Sequence, residues 1–108
     1  MKPKPHTWYI LHEELIDDTF QELLLYVIKK EDKKWKHYVL FLDDLRIRTD
    51  YDHDEFFIDK DEYEKEKEEN PDSCPTFFME EISSKSALKK LNFFPQLKTN
   101  LFNHIFKD

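Results

Sequence analysis

The chain contains no glycine in 108 residues. Ordinary usage of about 7% would supply seven or eight. The absence constrains both backbone and chemistry. Loops that cradle phosphate need glycine so that backbone N–H groups can approach the ligand. The strained strand-to-helix elbow of a hydrolase nucleophile needs it for steric reasons. Neither device can be built here. Left-handed backbone positions must fall to short polar residues that tolerate them, Asn or Asp, with Asn70 and Asn92 the expected places.

The length suits one domain and is short for two. A chain of this size buries roughly 65% of its unfolded surface, enough for a core without staples. Mean hydropathy is low at −0.83. Yet 16% of the residues are aromatic, ten of them Phe, and disordered chains are poor in aromatics. A folded domain with a heavily charged exterior is expected. One cysteine, Cys74, excludes an internal disulfide and any multi-cysteine zinc site. The start, Met1-Lys2-Pro3-Lys4-Pro5-His6, has no apolar stretch behind it to make a secretory signal. The longest apolar run, Leu23 to Ile28, is far below the ~20 residues of a membrane span. A cytoplasmic location with no membrane partner is the expectation.

Residues 1–6 read as a flexible lead-in, and 7–108 as a single α+β domain. Trp8, Leu11 and Leu15 recur at helical spacing, and Ile16, Phe20, Leu23, Leu24 and Val27 share a helical face, with Asp18 and Gln21 forming a capping-box pattern. This predicts an N-terminal helix within 8–25. Leu25 to Ile28 and Trp35 to Leu42 flank the polar connection Glu31-Asp32-Lys33-Lys34 and read as a hairpin. Leu45, Ile47, Thr49 and Tyr51 alternate with polar residues at strand period. A short strand is expected over 56–58, a solvated helix over 60–69 ended by Asn70-Pro71, and a strand over 76–82. Ser84 is the expected cap of a helix through Leu91. Pro95 fits the first turn of a last helix, in which Leu97, Leu101 and Ile105 make a stripe flanked by Phe102 and Phe106. The sum is an antiparallel meander of three to five strands, with an N-terminal helix and C-terminal helices packed on it.

Charge is unevenly placed. Residues 43–72 hold fourteen acids against five bases, a net −9, while the other 78 residues net +2. Repulsion excludes this segment as a surface for nucleic-acid phosphates, whereas a basic protein would be steered toward it. Mixed charge over 60–69 also fits a plain solvated face. In 50–59, acids interleave with Tyr51, Phe56, Phe57 and Ile58, as in an interface hot spot. Either one of Phe56 and Phe57 packs inward and the other is free for a partner, or both are core.

Candidate chemistry is thin. Asp50, Asp52 and Asp54 open like a calcium loop, but Glu55 stands where that loop needs Gly, and Asp61 where it needs Glu. His12-Glu13-Glu14-Leu15-Ile16 lacks the second histidine of a zinc helix. The histidines at 6, 12, 37, 53 and 104 show no ligand spacing, and Cys74, between Ser73 and Pro75, reads as a turn residue. The expectation is therefore a protein that is no enzyme and has no cofactor and no metal ligands. In profile the chain is similar to small acidic immunity proteins. Such a protein would act as a stoichiometric inhibitor, an antitoxin that neutralises a basic toxin such as a nuclease. Its partner-binding residues would be Asp50, Tyr51, Asp52, Asp54, Glu55, Phe56, Asp59, Asp61, Glu62, Tyr63 and Glu66. Two alternatives stand beside it. One is a phage-type nucleic-acid mimic, with carboxylates spaced like phosphates. The other is a metal-binding regulator or small enzyme built on Asp50, Asp52, Asp54 and His53.

Overall fold

The computed structural model describes residues 1–107, with side chains through Ile105. Five strands form one antiparallel sheet: β1 (Thr7–Glu14), β2 (Phe20–Glu31), β3 (Lys34–Phe41), β4 (Arg46–Asp52) and β5 (Phe77–Ile82), in spatial order β4-β3-β2-β1-β5. Helix α1 (Lys60–Glu69) lies between β4 and β5, and α2 (Ser84–Leu91) and α3 (Pro95–Lys107) follow. The class is α+β, as expected. The first four strands form a meander through short turns. From β4 the chain then crosses the whole sheet to add β5 antiparallel to β1 at the opposite edge.

The N-terminal helix is absent, and 8–25 is instead most of a hairpin. Asp18, the expected helix cap, sits in its turn with φ 63, where Leu15 N–H bonds the Thr19 carbonyl at 2.8 Å. The physical reason is burial on both sides. Trp8, Tyr9, Ile10 and Leu11 are consecutively buried, as are Leu23, Leu24 and Leu25. A central strand covered on both faces is a continuous apolar run, so period-two alternation vanishes and helical spacings appear by chance.

Trp8, Ile10, Leu24, Tyr38 and Leu40 face α2 and α3, where Ala87, Leu91, Leu97 and Leu101 cover them. Ile105 and Phe102 of the expected stripe remain over a third exposed, and the side chain of Phe106 lies outside the described residues. Ser83, one residue before the expected cap, accepts from Ser86 N–H at 3.1 Å and starts α2. On the other face, Tyr9, Leu11, Leu23, Leu25, Val27, Trp35, Val39 and Met79 surround Phe57, which is fully buried. Phe57 belongs to the crossing segment. The strand expected over 56–58 is not formed: Asp54–Phe56 is a single 3-10 turn. Ile58 then runs beside the free edge of β5, its carbonyl accepting from Met79 N–H at 2.7 Å. Residues 1–6 have no regular structure. Pro3 is buried, Met1 packs against the Phe57 core, and Lys4 N–H bonds Tyr9 Oη at 3.0 Å.

Positive φ occurs at His6, Asp18, Asp32 and Leu45. The two aspartates fit the expectation for a glycine-free chain. Asn70 (φ −135) and Asn92 (φ −63) do not adopt it. Leu45 (φ 57) closes the β3–β4 turn. For a residue with a Cβ the left-handed conformation costs about 1–2 kcal/mol, and glycine there gives back roughly 0.5–1 kcal/mol in chain entropy. Leu45→Gly is therefore expected to raise the unfolding free energy by roughly 0.5–1 kcal/mol in urea titrations. Phe57→Ala is expected to lower it by about 3–5 kcal/mol, because the sheet cannot close over the vacated space.

Candidate functional site

The crossing segment, residues 53–76, carries most of the expected docking residues, and its first task is structural. Phe57 fills the core, and Phe56 lies half-buried over it, with ring centroids 5.4 Å from Phe57 and 4.9 Å from Phe77. Both phenylalanines therefore point to the core. Asp54 accepts from the Trp35 indole N–H at 2.5 Å. Asp59 caps α1 by accepting from Glu62 N–H at 2.9 Å, which satisfies one of the orphan donors of the first turn. Tyr63 is buried against Phe78, with centroids 5.1 Å apart, and donates its hydroxyl to Glu14 Oε2 at 2.8 Å. Glu66, half-buried, accepts from the Asn70 side chain at 3.3 Å. The turn expected around Cys74 is present, with its thiol 3.5 Å from the Pro71 carbonyl.

The eleven expected residues do not form one patch. Register places Asp50 opposite His37 and Asp52 opposite Trp35, on the Phe57 side of the sheet. Tyr51 pairs with Lys36 and faces the other way, 46% exposed. There it lines a shallow cleft with His53 and the β2–β3 turn. Glu55, Asp61 and Glu62 point to solvent. Glu62 pairs with the Met1 ammonium. The side of α1 opposite Tyr63 presents Asp61, Glu64, Lys65 and Glu68, at i, i+3, i+4 and i+7. Among the described residues, Glu55, Asp61, Glu64 and Glu68 have no ion-pair partner within 4.0 Å; the acid-to-base contacts of this region go instead to Asp44, Asp50, Asp52 and Glu62. Glu64 and Glu68 were not among the expected residues. Helical phase against Tyr63 would have selected them, had Tyr63 been recognised as the buried side.

A second cluster was not legible. His37 is fully buried on β3, its ring 5.7 Å from Phe56 and 5.4 Å from Phe57. Its Nδ1 lies 3.3 Å from the Trp35 carbonyl oxygen. Its Nε2 has no hydrogen-bond partner and lies 3.5 Å from Asp52 Oδ2. Burial pushes this imidazole below its ordinary value, against the opposing pull of the Trp35 carbonyl, Asp52 and Asp50. One donor atom each from His37, Asp50 and Asp52 falls within 4.8 Å of the others. The alternative trio of Asp50, Asp52 and Asp54 with His53 is not assembled, since Asp54 serves Trp35 and His53 lines the cleft on the other side.

The chain matches no protein-family model, no curated protein and no solved structure. Among the described residues, no helix is long and apolar enough to cross a membrane.

The Glu14 contact ties α1 to the sheet and has a defined pH signature. The Tyr63 hydroxyl, and then the Lys67 ammonium at 3.4 Å, hold the Glu14 carboxyl below its ordinary value of 4.5. A carboxyl depressed on folding stabilises the fold fully above the unfolded value, and loses that contribution as pH falls through the folded one. The stability difference between the parent and Glu14→Gln is thus expected to be constant from neutral pH down to about 5 and to shrink below about 4.5 in urea titrations at stepped pH.

Proposed function

We propose that the protein is a stoichiometric inhibitor that docks through α1 onto a basic protein surface, as an immunity protein does when it neutralises a basic toxin, a nuclease being the natural case. The observation that carries this reading is the stripe of Asp61, Glu64 and Glu68, with Glu55 beside it in chain order, solvent-facing and without counter-ions among the described residues. Unpaired carboxylates on a rigid helix offer a ready complement to the Lys and Arg that a nuclease sets against phosphate. The helix is fixed at both ends, by the Asp59 cap and by Tyr63 and Lys67 on Glu14. The charges are thus pre-organised, and little ordering entropy is lost on docking.

The aromatic half of the expected hot spot does not carry over to this surface. Phe56 and Tyr63 are engaged in the fold. Docking through α1 therefore rests on electrostatics, with steering as its main kinetic signature.

The test is whether the neighbouring gene encodes a toxin-type domain that co-purifies with this chain as a 1:1 complex. Raising salt from about 0.1 M to about 1 M cuts the screening length from about 10 Å to about 3 Å and should slow association at least tenfold. The triple variant Asp61→Asn, Glu64→Gln, Glu68→Gln should weaken the complex by about tenfold or more while leaving thermal stability within the small range typical of surface changes. Undiminished binding and protection by that variant would overturn the reading.

A further inference from the structure

The fully buried Nε2 of His37 is the most anomalous polar atom described in the fold. A buried nitrogen without a partner costs about 1–3 kcal/mol, so its persistence requires a reason. The ring has two neutral forms. If Nδ1 carries the proton, it donates to the Trp35 carbonyl at 3.3 Å, and Nε2 turns a bare lone pair toward Asp52 Oδ2 at 3.5 Å. If Nε2 carries it, Nδ1 turns its lone pair on that carbonyl instead. Each neutral form therefore sets one lone pair against an oxygen. A cation held by Nε2 and the carboxylates removes the conflict, because Nδ1–H then bonds the carbonyl while Nε2 donates its pair to the ion. Metal-bound histidines are held in just this way, by a bond from the far ring nitrogen to a backbone carbonyl.

We infer that His37, Asp50 and Asp52 form a binding site for a first-row transition-metal dication, of which Zn²⁺ is the best match. One separation fits as it stands. Bonds of about 2.0–2.1 Å in tetrahedral geometry put neighbouring donors about 3.3–3.4 Å apart. The His37–Asp52 separation of 3.5 Å is close to that edge, while the three donor atoms together span up to 4.8 Å, so an ion would draw the partly exposed carboxylates inward. Asp50 is anchored through Oδ2 alone, to Arg48 Nε and Nη2 at 2.9 Å each, which leaves Oδ1 for an ion. The same Arg48 brings one opposing positive charge. Two carboxylates against one guanidinium leave the cluster net negative. Asp50 and Asp52 are partly exposed, which gives an ion its entry path, while Phe56 and Phe57 wall the buried side with apolar surface. An imidazole with two carboxylates suits Zn²⁺ and its first-row neighbours. Ca²⁺ prefers six to eight oxygens and is poorly served by three donors, one of them nitrogen.

The experiment uses the isolated chain, stripped with chelator, so its outcome is independent of any docking partner. Zn²⁺ titrated by calorimetry should bind at one ion per chain and raise the thermal midpoint. Co²⁺ in the same site should give the visible absorption of low-coordinate cobalt. Asp52→Asn and Asp50→Asn alter partly exposed groups and should fold normally, yet each should lose tenfold or more in Zn²⁺ affinity along with the cobalt spectrum. His37→Gln should abolish both, and the two aspartate variants keep the test decisive if that core variant folds poorly. Failure of the parent chain to bind Zn²⁺ or Co²⁺ would sink the assignment. So would binding that survives both aspartate variants, or a preference for Ca²⁺ over Zn²⁺.

Discussion

The fold depends on one constraint: a sheet with two apolar faces must be covered twice, and only one connection is available for the second face. The C-terminal helices α2 and α3 cover the side carrying Trp8, Ile10, Leu24, Tyr38 and Leu40. The other side is closed by the run from β4 to β5, whose Phe57 is the buried plug among Tyr9, Leu25, Val27 and Val39. Because that connection must cross from one edge of the sheet to the other, it is long. Because it must cover a core, its inward residues are large and aromatic. The outward residues of the same segment carry the net charge. Within 56–63, Phe56, Phe57 and Tyr63 turn to the core while Asp61 and Glu62 face solvent, the pattern of a strap laid over a core.

That reading explains which parts of the sequence were legible. Helix 60–69, the strand after Asp43-Asp44 and the Pro95 helix were evident because caps, prolines and polar flanks mark their ends, and those signals are local. Strands β3 and β4 are legible because turn chemistry or alternation marks them. The first hairpin was missed because Trp8 to Leu11 and Leu23 to Leu25 are buried on both faces and carry no alternation to read. Asp18 supplied a false cap: short polar side chains suit a helix start and a left-handed turn equally well, and only tertiary context decides.

The candidate site was legible in part, for a related reason. Net charge is additive along the chain, so the location of the acidic segment could be seen directly. The role of each side chain depends on the direction in which it points, and the acid-rich pattern does not give that direction. Tyr63 and Phe56 looked like anchors for a partner and are anchors for the fold. The cluster at His37 depends on strand register, which sets His37 opposite Asp50 across a ladder thirteen positions apart in sequence. No spacing rule along a single segment would bring those residues together.

A strap over a core has to be solvated on its outside, and that requirement alone would be met by a balanced helix of alternating Glu and Lys. Helix α1 is not balanced. It places Glu62 four residues before Glu66, and Glu64 four before Glu68. Like charges at that spacing cost a helix about 0.2–0.5 kcal/mol per pair. Lys60 with Glu64, Asp61 with Lys65 and Lys65 with Glu69 more than offset this, so the helix carries its excess acid at no net cost from such pairs. Solvation does not require that excess, although Asp61 and Glu62 in the first turn favour the helix through its dipole. Unpaired carboxylates on this exposed helix project a negative field beyond it.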